Sequence, residues 1–150
     1  MTGANSGTPV EGLSPKGIRP AQRIWLEDQG LPVFGAGIRE LLVRVEATGS
    51  LRHAASDMGM AYSKAWHIVR RAEEHLGFDL LERRIGGAHG GGSGVSDEGR
   101  WLVRAFGAVL DEADEMLGEL YEKHFGDWEG GSGDIRMDRA PQSMSSPGQD

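Results

Sequence analysis

The sequence predicts a mainly α-helical fold with a small β component, and three observations carry that prediction. Apolar residues recur at helical spacing in successive stretches between Ile38 and Leu120. Single glycines, Gly49, Gly59 and Gly77, punctuate the first three of these stretches. Between the third and the fourth stands a glycine-rich run with β-prone ends, "LERRIGGAHGGGSGVS" at Leu81–Ser96.

Taken in order, Met1–Pro20 and the stretch from 127 to 150 are rich in Gly, Pro, Ser and other small or polar residues. Neither can offset the entropy of ordering, so both are expected to be disordered tails around one domain at residues 21–126. "RIWLEDQGLPVFG" places Ile24-Trp25-Leu26 and Val33-Phe34 on either side of a Gln29-Gly30-Leu31-Pro32 turn, a small hairpin. Ile38, Leu41, Leu42 and Val45 then mark the inner face of a first helix that stops near Gly49. Ser50 can cap a second, barely two turns long, with Leu51, Ala54, Ala55 and Met58 inward and Gly59 at its end.

After a break at Gly59-Met60-Ala61, a third helix runs from about Tyr62 to Leu76, with Ala65, Trp66, Val69, Ala72 and Leu76 expected inward. Leu80–Ile85 and Gly94–Ser96 read as two strands joined by the glycine loop. Two short helices joined by a tight turn, the second one longer and followed by a ribbon, describe a winged helix-turn-helix. A fourth, long helix, about 96–124, starts at Ser96 with Asp97 and Glu98 favouring its positive end. Leu102, Phe106, Val109, Ala113, Met116 and Leu120 form a stripe along it that fits either a buried core or, as its length favours, the seam of a homodimer.

The formal charge is −7, but it is unevenly spread. Residues 51–95 carry Arg52, Lys64, Arg70, Arg71, Arg83 and Arg84 against Asp57, Glu73, Glu74, Asp79 and Glu82, whereas the negative charge gathers on the fourth helix. A basic face upstream is therefore compatible with double-stranded DNA as a partner. The absence of cysteine excludes disulfides and thiolate metal sites and fits a reducing, cytoplasmic setting. No apolar run is long enough to cross a bilayer, and no membrane partner is expected.

On the third helix the inward set leaves Ser63, Lys64, His67, Arg70, Arg71 and Glu74 outward. The early members stand where a recognition helix meets base edges, although any solvated helix face carries such residues. His67 is open to both readings. Arg83 and Arg84 can neutralise phosphates, and the glycines after them allow close approach to a backbone.

The glycine loop lacks the lysine and Ser/Thr of a P-loop, and "GAGIRE" lacks the third glycine of a dinucleotide fingerprint. The histidines show no metal spacing, no catalytic constellation can be picked out, and no cofactor or enzymatic activity is expected. A winged-helix adaptor that binds protein rather than specific DNA is the alternative, and the continuity of positive surface over the third helix and the wing separates the two.

The stretch "LLVRVEATGSLRHAASDMGMAYSKAWHIVRRAEEHLGFDLLERRIGGAHGGGSGVSDEG" resembles the N-terminal winged-helix domain of the molybdate-responsive ModE regulators, itself similar to the DNA-binding domain of LysR-type regulators. The resemblance runs from about Ile24 through the fourth helix and is most specific at "TGS", "AA..MGM.Y..AW" and "LLERR.GG..GGG". It implies a dimeric transcription regulator whose third helix enters the major groove, whose wing touches flanking backbone and whose last helix pairs subunits. It puts Ser63, Lys64 and His67 in the base-reading stretch, Arg83 and Arg84 at the wing base, and Trp66 on a core tryptophan. Ser50, Arg52, Tyr62 and Arg71 complete the candidate DNA-contacting set.

Two departures matter. Ala61 stands where a capping serine is common in that family. The full regulators also carry C-terminal oxyanion-binding domains where this chain has a Gly/Ser-rich tail, so no molybdate site is expected.

Overall fold

The computed structural model describes residues 18–84 and 92–126. The elements follow in the order β1 (Trp25–Asp28), β2 (Leu31–Gly35), α1 (Ala36–Thr48), α2 (Leu51–Asp57), α3 (Tyr62–Leu76), β3 (Leu81–Arg84), β4 (Gly92–Val95) and α4 (Asp97–Phe125). The chain divides into two units, Gln22–Glu115, and Met1–Ala21 together with Met116–Asp150. Most of the two expected tails, and the glycine-rich tip between β3 and β4, lie outside the described residues.

The hairpin turn is tighter than the sequence suggests. Asp28 pairs with Leu31, which leaves Gln29 (φ 50°) and Gly30 (φ 80°) as a two-residue turn with both residues left-handed. Leu31 and Pro32 therefore belong to β2 rather than to the turn. The register shifts between Leu26 and Glu27, whose partners are Phe34 and Pro32, so Val33 is an extra residue in the ladder. That bulge lets the consecutive Val33 and Phe34 both face the core, which a regular strand would forbid.

Helices α1, α2 and α3 form where the periodicity places them. Leu41, Leu42 and Val45 of α1 pack with Leu51, Ala54 and Ala55 of α2 and with Ala65, Val69 and Ala72 of α3. Gly49 (φ 70°) and Gly77 (φ 79°) close α1 and α3 in the left-handed conformation, donating to the carbonyls of Val45 and Glu73. Ser50 caps α2, its hydroxyl accepting from the His53 amide at 3.2 Å.

Trp66 departs from expectation. It is 41% exposed, and so does not occupy the core position that both its spacing and the family resemblance suggested. On a helix of 3.6 residues per turn it lies just outside the arc made by Ala65, Val69 and Ala72. Those alanines, with Ala54 and Ala55 of α2, are fully buried. Leu76 is only partly buried. Two turns on, Glu73 is buried on nearly the same side of the helix.

At the start of α4, Ser96 is buried and serves twice. Its hydroxyl accepts from the Gly99 amide at 2.9 Å and donates to the Asp79 carbonyl at 2.6 Å, joining the helix cap to the chain entering β3. Leu102 and Phe106 are buried in the chain's own core, where the Phe106 ring meets Phe34 edge to face at 5.3 Å. Two members of the expected dimer stripe are thus already occupied within one chain, while Val109, Met116 and Leu120 are exposed and Ala113 is half-buried. In the smaller unit, the Tyr121 ring stacks on Phe125 at 5.0 Å.

At the N-terminus of α3, Ala61 occupies the cap with extended backbone and gives its orphan amides no side-chain acceptor. Ala61→Ser is expected to stabilise the fold by about 0.5–1 kcal/mol and to raise the thermal midpoint by a few degrees. Unchanged thermal unfolding would show that these amides lose nothing to the missing hydroxyl.

Candidate nucleic-acid interface

The site is built on α3, because the preceding turn and α2 bury its inner face and leave the rest open. Ser63, Lys64, His67, Arg70 and Arg71 are all exposed, as the spacing predicted. Ser63, His67 and Arg70 share one stripe at i, i+4 and i+7, with Lys64 and Arg71 beside it. His67 meets the Trp66 indole edge to face at 5.3 Å.

Tyr62 and Arg52 come together although ten positions apart. The Arg52 guanidinium lies 4.4 Å from the centre of the Tyr62 ring, bridging α2 and the first turn of α3. Both side chains are exposed, which leaves one positive group with a fixed platform at the mouth of the site. Ser50 plays a different part: its hydroxyl caps α2, and its amide donates at 3.3 Å to the Thr48 hydroxyl, which lies 2.8 Å from the Arg44 carbonyl and 3.1 Å from that of Ser50. It sets the α1–α2 turn from which α3 is presented.

The ribbon pairs Leu81 with Val95, Glu82 with Gly94, Arg83 with Ser93 and Arg84 with Gly92. Arg83 is exposed on β3; the side chain of Arg84 and the tip of the ribbon lie outside the described residues. The base of the ribbon is locked to the helices. Ser93 donates its amide to the Gly49 carbonyl at 3.0 Å, and a Cβ on Gly92 would come within 2.5 Å of that same oxygen. Glycine at 92 is what permits the approach.

The second lock is Glu73, which the sequence analysis counted only as a charge. It is 7% exposed; its Oε1 accepts from the amides of Leu80 (2.9 Å) and Leu81 (3.2 Å), and its Oε2 accepts from Arg70 Nη1 at 3.1 Å. One carboxylate thus joins the last turn of α3 to Leu80 and the start of β3. Its spacing carries no clear sign of this: Glu73 stands seven residues after Trp66, beside the apolar arc, where hydrophobicity assigns the indole inside and the carboxylate outside.

Among the described residues there is no group of three or more His, Cys, Asp or Glu placed to hold a metal ion, and no helix is long and apolar enough to cross a membrane. The arrangement offers hydrogen-bond donors and positive charge on the exposed face of α3, chemistry suited to phosphates and base edges.

A capped short helix, a tight turn, a longer exposed helix and a two-stranded ribbon define a winged helix-turn-helix domain. Residues 39–90 match the model of the bacterial regulatory helix-turn-helix proteins of the lysR family. Similar curated proteins include the molybdenum-pterin-binding protein MopB of Rhodobacter capsulatus, 33% identical over 91 residues, which are 61% of this chain and 33% of that protein. The molybdenum transport protein ModE of Azotobacter vinelandii is 31% identical over 96 residues, 64% of this chain and 35% of that one. The DNA-binding transcriptional dual regulator ModE of Escherichia coli K12 is 27% identical over 85 residues, 57% of this chain and 29% of that one. The chain spans about a third of the length of these relatives. Among solved structures, a BenM DNA-binding domain in complex with catB site 1 DNA aligns at a TM-score of 0.44 and 23% identity, covering 60% of this chain and 91% of that one.

Proposed function

We propose that this chain is a sequence-specific DNA-binding transcription regulator that acts as a homodimer. In this reading α3 enters the major groove, and the β3–β4 ribbon rests on the flanking backbone. The observation that carries it is the exposed row of Ser63, Lys64, His67, Arg70 and Arg71 on the second helix of a helix-turn-helix that lies within the segment similar to the lysR-family model. Serine can serve either base type, while lysine and arginine donate to guanine O6 and N7. Arg52, Tyr62, Arg83 and Arg84 would supply backbone contacts, which fix register without reading sequence. No cofactor is invoked, and the molybdenum named for the relatives is not carried over to this chain.

A symmetric dimer would recognise two half-sites related by a dyad and about 10 bp apart, one turn of the double helix. The surface of α4 that includes Val109 is the candidate pairing face. Binding-site selection from random duplexes tests the reading: a dyad-symmetric consensus is expected, and no enrichment over bulk DNA at moderate salt would refute it. On the selected duplex, Lys64→Ala is expected to weaken binding by about 1–2 kcal/mol, roughly tenfold, and to relax base preference. Equal weakening on all sequences would assign Lys64 to the phosphates instead.

A further inference from the structure

Arg70 is held from two sides. Its Nη1 donates to Glu73 Oε2 at 3.1 Å, and its guanidinium carbon lies 5.4 Å from the centre of the Trp66 ring. An exposed arginine–glutamate pair on a helix is ordinarily loose. Here the carboxylate cannot follow a wandering partner, because its other oxygen is fastened to the amides of Leu80 and Leu81. The side chain of Arg70 is nevertheless 53% exposed, so its remaining donors face outward.

The position is as specific as the restraint. Ser63, Trp66, His67 and Arg70 are exposed and stand at i, i+3, i+4 and i+7, the spacing at which a helix lying in the major groove presents successive side chains to bases. A guanine edge offers two acceptors, O6 and N7, that match two donors of a guanidinium held in one plane. An arginine oriented before contact loses less freedom on binding than a solvated one.

Resting on the reading of α3 as a groove-entering helix, we propose that Arg70 is a specificity-determining residue that reads one guanine. Trp66 and Glu73 act as positioning residues that set the plane of its guanidinium. The exposed indole of Trp66 lies under Arg70. The same carboxylate that anchors the ribbon aims the base-reading side chain.

Arg70→Lys keeps the charge and removes the fork, so it separates base reading from phosphate neutralisation. On the duplex selected by the unaltered chain, Arg70→Lys is expected to lower affinity roughly 5- to 100-fold and to abolish the preference for one G·C pair. The slope of affinity against salt and the thermal midpoint should stay unchanged. Glu73→Gln retains an oxygen for the two amides, and should weaken the preference at that same base pair while leaving the others intact.

Retention of every base preference in Arg70→Lys would overturn the proposal. So would Arg70→Ala binding all sequences more weakly to the same degree, with a shallower salt slope, because that is the signature of a phosphate contact. If the unaltered chain selects no sequence at all, the DNA reading itself falls and this inference with it.

Discussion

Glu73→Ala is expected to destabilise the domain by about 2–4 kcal/mol, lowering the thermal midpoint by something on the order of 10–25 °C. The cost comes less from the lost glutamate than from what it leaves behind. The Leu80 amide is buried and the Leu81 amide partly so, and both donate to the one carboxylate oxygen. Without it they have no acceptor in place, and an unsatisfied buried donor forfeits its hydration with no return. Glu73→Gln should be far milder, about 1 kcal/mol or less, since an amide oxygen can accept the same two bonds. Hydrogen exchange followed by NMR checks the origin: protection at Leu80 and Leu81 should collapse in Glu73→Ala and persist in Glu73→Gln. Protection retained in both would mean that the ribbon holds its place without the carboxylate.

The same residue shows where sequence reading stops. Periodicity finds α1 to α4 because their inner faces are made of Leu, Val, Ala and Phe repeating at helical steps, and the glycines at 49 and 77 mark ends that need a left-handed residue. The exposed face of α3 follows by subtraction, so the candidate contacts on it were legible as well. Trp66 and Glu73 were not, because a rule based on hydrophobicity exchanges them: it puts the indole inside and the carboxylate outside. Which one is buried depends on how the neighbouring elements pack on α3 and on two backbone amides, those of Leu80 and Leu81, that reach it from beyond the helix. Neither fact is local to α3. The bulge at Val33 was hidden for a similar reason, since an extra residue in one strand shows only when its partner strand is aligned.

The stripe on α4 leads to the other large effect, and to a contrast within three residues. Phe106 is 2% exposed and meets the Phe34 ring edge to face at 5.3 Å, so Phe106→Ala removes an aromatic contact and opens a cavity between the hairpin and α4. The expected loss is about 3–5 kcal/mol, comparable to the whole stability of a marginal small domain. It should appear as a lower denaturant midpoint whatever the protein concentration. Val109 lies on the same stripe but is 50% exposed, so Val109→Asp costs much less packing within the chain than Phe106→Ala. Its unfolding in dilute solution should change far less than that of Phe106→Ala, yet a carboxylate placed on the proposed pairing face would be buried unpaired in a dimer. Sedimentation across a concentration series is therefore expected to give monomers for Val109→Asp and dimers for the unaltered chain. Association as strong in Val109→Asp as in the unaltered chain would move the seam elsewhere, and a Phe106→Ala variant as stable as its parent would contradict the core contact itself.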